Sequence, residues 1–220
     1  MLTVELINQN IPRLQLQDTV SKGLQLISDY KLTHLPVISE EKFLGLVSED
    51  DLLDINEPKM PIELMQETFL NAAVLENEHF LNAVKCSNQF DTTVVAVVNE
   101  EREFMGSITT SELLKALGNF SGTNEIGGII VLEMERSQFA ISEISRIVES
   151  NDATILHLNT TVHADTGMLT VTIHLNKKEI SAIVATFERY DYDVIYYFGD
   201  EHFENEIHSN YRHLMNYLDI

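Results

Sequence analysis

The sequence predicts an α+β protein: two copies of one small βαββα-type unit, a ferredoxin-like βαββαβ half, and a C-terminal helix. Three observations predict it. A motif around His34–Ser48 recurs about 60 residues later around Thr93–Thr109. A Gly-, Ser- and Asn-rich stretch interrupts the chain near its middle. Beyond it, segments of period two alternate with segments of helical spacing. At roughly 100–200 residues per domain, 220 residues predict one to three compact units.

In the first copy, Val20, Leu24 and Ile27 share a helical face, and Asp18 is placed to cap that helix. His34-Leu35-Pro36-Val37-Ile38 reads as a strand, Glu40-Glu41-Lys42 as a polar turn, and Phe43–Ser48 as a second strand opening a helix. In the second copy Phe80, Leu81 and Val84 mark the helix. Val94–Val98 is a continuous apolar run, as in a strand covered on both faces, and Asn99–Glu103 is the turn before Phe104–Thr109. His34 and Val94 lie 60 positions apart, Phe43 and Phe104 lie 61 apart, so the second turn holds one extra residue. About 50 residues per copy is too few for an independent core, so the copies are expected to pack as one unit.

Leu117–Ile126 reads as a linker. Gly128–Met134 is a strand, and Ile141, Ile144, Ile147 and Val148 mark a helix. Leu156, Leu158, Thr160 and Val162 alternate with His157, Asn159, Thr161 and His163; residues 164–167 turn the chain; Leu169, Val171, Ile173 and Leu175 alternate again. Ile180, Ile183, Val184 and Phe187 mark a helix and Tyr192–Phe198 a last strand, with Tyr190, Tyr192, Tyr196 and Tyr197 packing strand and edge. A turn at 164–167 sets His157 opposite His174; two histidines without a third ligand read as a solvated sheet face, not a metal site. In the tail, which also holds His202 and His213, Ile207, Tyr211, Leu214 and Leu218 have amphipathic helical spacing, and Glu204 and His208, one turn apart, read as a solvated face in preference to a metal pair.

Fourteen Lys and Arg against 35 Asp and Glu give a net charge of −21, shared by both halves. That excludes a counterion-displacing nucleic-acid surface and docking on anionic lipid. Apolar runs end after about five residues where a membrane span needs about 20. Cys86 is the sole cysteine, and no secretory leader opens the chain, so a reducing cytoplasmic location is expected. Neither a nucleophile–base–orienter set nor a glycine-rich phosphate loop is present, which predicts a non-enzyme.

The duplicated motifs, His34-Leu35-Pro36-Val37 with Gly45-Leu46-Val47-Ser48-Glu49-Asp50-Asp51 and Gly106-Ser107-Ile108-Thr109-Thr110-Ser111-Glu112, resemble a tandem pair of cystathionine-β-synthase (CBS) domains, a Bateman module. The resemblance spans residues 1–118, with copies at about 1–58 and 62–118. After a linker at 119–126, residues 127–199 resemble an ACT domain, and 200–220 form the helix. A CBS pair followed by an ACT domain is similar to the acetoin utilisation protein family.

The resemblance implies a nucleotide-binding cleft between the copies, lined by Thr33, His34, Pro36, Gly45, Ser48 and Asp51 from the first and Thr93, Gly106, Thr109 and Glu112 from the second. Glycine allows close backbone approach, Ser48 and Thr109 offer a hydroxyl to phosphate, and Asp51 and Glu112 accept from ribose hydroxyls. The second copy departs from the pattern: Glu112 is a methylene longer than aspartate, and Ala96 replaces the proline seen at Pro36. The same Ser48 and Thr109 also suit plain helix capping. Arg13, Lys31 and Lys85 are the few cations available for phosphate. The expected ligand is therefore a nucleoside or mononucleotide in preference to free ATP, within the set AMP, ADP, ATP and S-adenosylmethionine. ACT domains bind effectors at the first strand–helix loop, here Glu135–Ala140, which lacks glycine and carries Phe139. That domain is expected to serve homodimerisation or signal transmission, with a regulated protein partner of unknown identity. The alternatives are an interaction protein without a small-molecule ligand and an effector sensor working through the ACT-like half.

Overall fold

Thr19, not Asp18, opens the first helix, α1 (Val20–Tyr30): its side-chain oxygen accepts from the Lys22 N–H. Asp18 stands one residue too early and instead accepts from the Gln15 N–H at 2.9 Å and the Lys22 ammonium at 2.7 Å. In this computed structural model, which describes residues 1–200, α1 buries Val20, Gly23 and Ile27. Gly23 lets the helix approach Leu52, whose Cδ1 would lie 2.9 Å from an added Cβ. Lys31, left-handed at φ 54°, ends the helix.

Strand β1 (Leu14–Gln15) runs parallel to β2 (His34–Ser39), which pairs antiparallel with β3 (Lys42–Ser48) before the short α2 (Glu49–Leu53). The second copy repeats this with β4 (Ala73–Leu75), α3 (Phe80–Phe90), β5 (Val94–Val98), β6 (Phe104–Thr109) and α4 (Thr110–Phe120). The α+β duplication expected from the repeat is thus present, down to a register slip at matching places, Val37/Ile38 and Val97/Val98. α3 turns Phe80, Ala83 and Cys86 inward and leaves Leu81 exposed, so its buried face is rotated from the one expected. Phe43 and Leu46 of the first copy join the second copy's core, and the Phe43 and Phe104 rings stack at 6.3 Å. That packing is how two undersized copies share apolar burial.

Two connecting segments are exchanged between the copies. The single-turn Thr3–Leu6 helix leads to Asn8, whose N–H donates to the Ser107 carbonyl at 2.8 Å in the second copy. The Ile62–Thr68 turn leads to Leu70, which exchanges two backbone hydrogen bonds of 2.8 Å with Leu46 in the first.

The second compact unit, from Gly118 onward, holds β7 (Gly128–Met134), α5 (Ile141–Glu149), β8 (Ile155–Val162), β9 (Leu169–Leu175), α6 (Ser181–Arg189) and β10 (Asp193–Phe198). The sheet order β10-β7-β9-β8, antiparallel throughout, is the ferredoxin-like arrangement. Ile130, Leu132, Ile144, Ile173 and Phe187 anchor its core. A bulge between Ile155 and His157 turns Ile155 and Leu158 toward that core and leaves Leu156 exposed, which breaks the alternation expected of this strand. His157 does pair with His174, and the Phe120 ring meets His157 edge-on at 5.9 Å. α4 therefore continues through Gly118 and Asn119 into the stretch read as linker. The helix expected beyond Asp200, with His202, Glu204, His208 and His213, lies outside the described residues. Among the described residues, no helix is long and apolar enough to cross a membrane.

Candidate functional site

The two motif copies meet at their threonines. Thr33 and Thr93, which precede β2 and β5, bring their hydroxyl oxygens to 2.7 Å. Each threonine carbonyl accepts from the first residue of the helix in its own copy: Glu49 N–H to Thr33 at 2.8 Å, and Thr110 N–H to Thr93 at 3.0 Å. Ser48 and Thr109 each directly precede the residue so bonded. His34 pairs in register with Ser48, and Val94 with Thr109.

Other residues of the predicted set do different work. Pro36 is buried in β2 opposite Leu46. Gly45 has φ +156°, and a Cβ there would lie 2.6 Å from Phe69 Cβ; Gly106 has φ +149° and a Cβ there would run into Ile7. The space above both glycines is filled by the exchanged segments, so their close approach is to the protein's own chain and not to a ligand. Ser107, where the first copy has Leu46, buries an Oγ with no hydrogen-bond partner among the described residues.

The acid-bearing hooks differ. Ser48 caps α2: its Oγ accepts from the Asp51 N–H at 3.0 Å and donates to Asp51 Oδ2 at 2.6 Å. Among the described residues, Asp51 Oδ1 has no hydrogen-bond partner. Glu112 is engaged at both oxygens. Oε2 accepts from the Thr109 N–H at 2.8 Å and from the Thr109 hydroxyl, and Oε1 accepts from Asn8 Nδ2 at 2.9 Å. The extra methylene lets the carboxylate fold back onto the Thr109 backbone. Asn8 lies 104 positions from Glu112, and no local pattern in the sequence marks it.

Electrostatics separate the hooks further. Burial lowers the His34 imidazole below its ordinary value, against the opposing charges of Asp51, Asp91 and Asp50. For Glu112, burial pushes the carboxyl up, but hydrogen bonds from Thr109 and Asn8, with Lys115 nearby, hold it below the usual range. α2 is only five residues long and its first turn carries Glu49, Asp50 and Asp51, so it offers little to a phosphate. Arg13, Lys31 and Lys85 are all exposed. A surface hollow of about 210 Å³ is lined by Leu75, Glu76, Asn77, Asn99, Glu100 and Glu101, none of them hook residues. Burial and then the Glu78 charge push the Cys86 thiol up, which makes it an inert core group.

In the second unit the loop after β7 closes on itself. Arg136–Gln138 form a single turn with a capping box between Glu135 and Gln138, and Phe139 packs against the core. Tyr192 donates to Glu143 at 2.9 Å; burial and this bond push its phenol up to about 12.

Residues 4–57 match the family model of the CBS domain. A solved CBS domain pair/ACT domain protein from Thermotoga maritima is 21% identical, covering 55% of this chain and 98% of that one, with a TM-score of 0.51. That is a likeness of fold. A solved structure described as an acetoin utilisation protein from Vibrio cholerae is 18% identical, covering 56% of this chain and 95% of that one, with a TM-score of 0.48. A homoserine O-acetyltransferase from Methanobrevibacter ruminantium is 23% identical over 119 residues, 53% of this chain. The chain spans only 24% of the length of that curated relative.

Proposed function

We propose that this chain, which matches the CBS domain over residues 4–57 and shares the fold of a CBS-pair/ACT protein, is a non-enzymatic regulatory protein that senses an adenine-containing ligand at its first copy. One observation carries the reading: Asp51 is aligned by the Ser48 hydroxyl on one oxygen and retains the other for a donor. A ribose diol supplies two such donors. The three acidic residues of the first turn of α2 favour a nucleoside or mononucleotide over a polyphosphate. The self-closed Glu135–Ala140 loop supports a dimerising or transmitting role for the ACT-like half over effector binding. Its strands β8 and β10 are the sheet edges available for that.

Thermal unfolding with AMP, ADP, ATP, S-adenosylmethionine and a panel of amino acids tests the reading. A ligand at 100 times its Kd adds about 2.7 kcal/mol of stability. AMP or S-adenosylmethionine is expected to stabilise the chain, and Asp51→Ala to abolish the effect. A flat panel supports the second reading, an interaction protein, for which Glu112, engaged at both oxygens by Thr109 and Asn8, is the specific observation. A response to an amino acid alone returns the sensing role to the ACT-like half.

A further inference from the structure

The exchanged segments place unlike residues at matching positions. Leu70 pairs with Leu46 beside the first hook, and Asn8 pairs with Ser107 beside the second. Leu70 has no side-chain donor. Asn8 has one, and it is held in place: its N–H is bonded to Ser107, and its Oδ1 accepts from the Asn10 N–H at 2.9 Å. With the amide oxygen fixed on Asn10, Nδ2 is presented to Glu112 Oε1 at 2.9 Å. Thr109 N–H, the Thr109 hydroxyl and Asn8 Nδ2 together take three of the roughly four acceptor sites of the Glu112 carboxylate, so a ribose diol, with two hydroxyl donors, finds too few left.

We propose that Asn8 is an intramolecular stand-in for a ribose hydroxyl at Glu112, so that the pair admits one adenine-containing ligand although it carries two hooks. This rests on the adenine reading of the first copy. Seating both hydroxyls of a second ribose on Glu112 requires breaking the Asn8–Glu112 bond, whereas Asp51 loses no such bond. Asn8 is thus a specificity-determining residue, and the N-terminal segment sets the stoichiometry.

The test is titration calorimetry with AMP on the full chain, comparing the wild type with Asn8→Leu and with the double variant Asn8→Leu/Glu112→Asp, which copies the first hook. One equivalent per chain for the wild type and two for the folded double variant is the expected result. Two equivalents for the wild type, or one for a double variant with unchanged circular dichroism, overturns it. No binding by the wild type with one equivalent for the double variant retains the Asn8 block and refutes the first-copy reading; no binding by either overturns both. A wild-type measurement covers the case of misfolding. On adding AMP, the Asn8 side-chain NH2 resonances are expected to stay fixed while the Ser48 and Asp51 amides shift, and movement of the Asn8 pair overturns the proposal.

Discussion

The two halves of the duplicated unit share strand order, a register slip at the same point, and a hydroxyl-capped helix start. They part at the acid. Asp51 is short, bonded to its own Ser48, and keeps one oxygen available; Glu112 is longer, folds onto the Thr109 N–H, and is closed by Asn8. The helix ends differ in the same sense, with Lys31 at the left-handed position in one copy and Asp91 in the other. Backbone pseudo-symmetry thus leaves the chemistry free to diverge. The segment that covers each copy decides the outcome, because Leu70 and Asn8 arrive from outside the repeat they touch.

The comparison breaks most visibly in the cores. Phe80 and Val20 open equivalent helices and both are fully buried. Phe80→Ala is expected to cost about 3–5 kcal/mol and Val20→Ala about 2 kcal/mol, read as urea midpoints. Near-equal losses would show that the copies unfold around a common core insensitive to which side is emptied. Next come the glycines: Gly45→Ala and Gly106→Ala each force a side chain into positive φ and into Phe69 or Ile7, for about 1–3 kcal/mol apiece. A neutral Gly106→Ala would mean that Ile7 does not cover the second copy.

Smaller effects sharpen the contrast at the hooks. Glu112→Ala strands the Asn8 and Thr109 donors and is expected to lower stability by about 1–2 kcal/mol, with solvent access keeping it at the low end. Asp51→Ala is expected to cost less stability and to remove the ligand response. The smallest effects are in pH. Glu112 has a lowered folded pKa, so its contribution is present above the ordinary carboxylate value and is lost as pH falls through the folded one. Glu112→Gln flattens that acid limb. His34 also has a lowered pKa, so the unfolded chain takes up its proton first. Stability then falls as pH drops below about 6.5, by at most about 1.4 kcal/mol per pH unit, and His34→Gln removes the slope.

Much of the architecture was legible because it is local. Strand alternation, helical spacing and the Gly45/Gly106 repeat lie within short windows, and the His157–His174 pairing follows from one turn. The misreadings have local physical causes too: Thr19 is one residue closer than Asp18 to the first free N–H groups, and a bulge after Ile155 swapped the faces at the start of the strand, turning Ile155 inward and Leu156 out. The hydroxyl and acid positions could be read from the motif. Their state could not, because it depends on Asn8, 104 positions away, and no periodicity encodes an exchanged segment. The filled space above Gly45 and Gly106 was hidden for the same reason.

The inequality of the two hooks is tested most directly by a crystal structure of the full chain grown with AMP. The expected density places the ribose hydroxyls against Asp51, beside the Thr33–Thr93 contact, with the Asn8–Glu112 bond of 2.9 Å intact. A ribose seated on Glu112 with Asn8 displaced, while Asp51 stays bare, would contradict it.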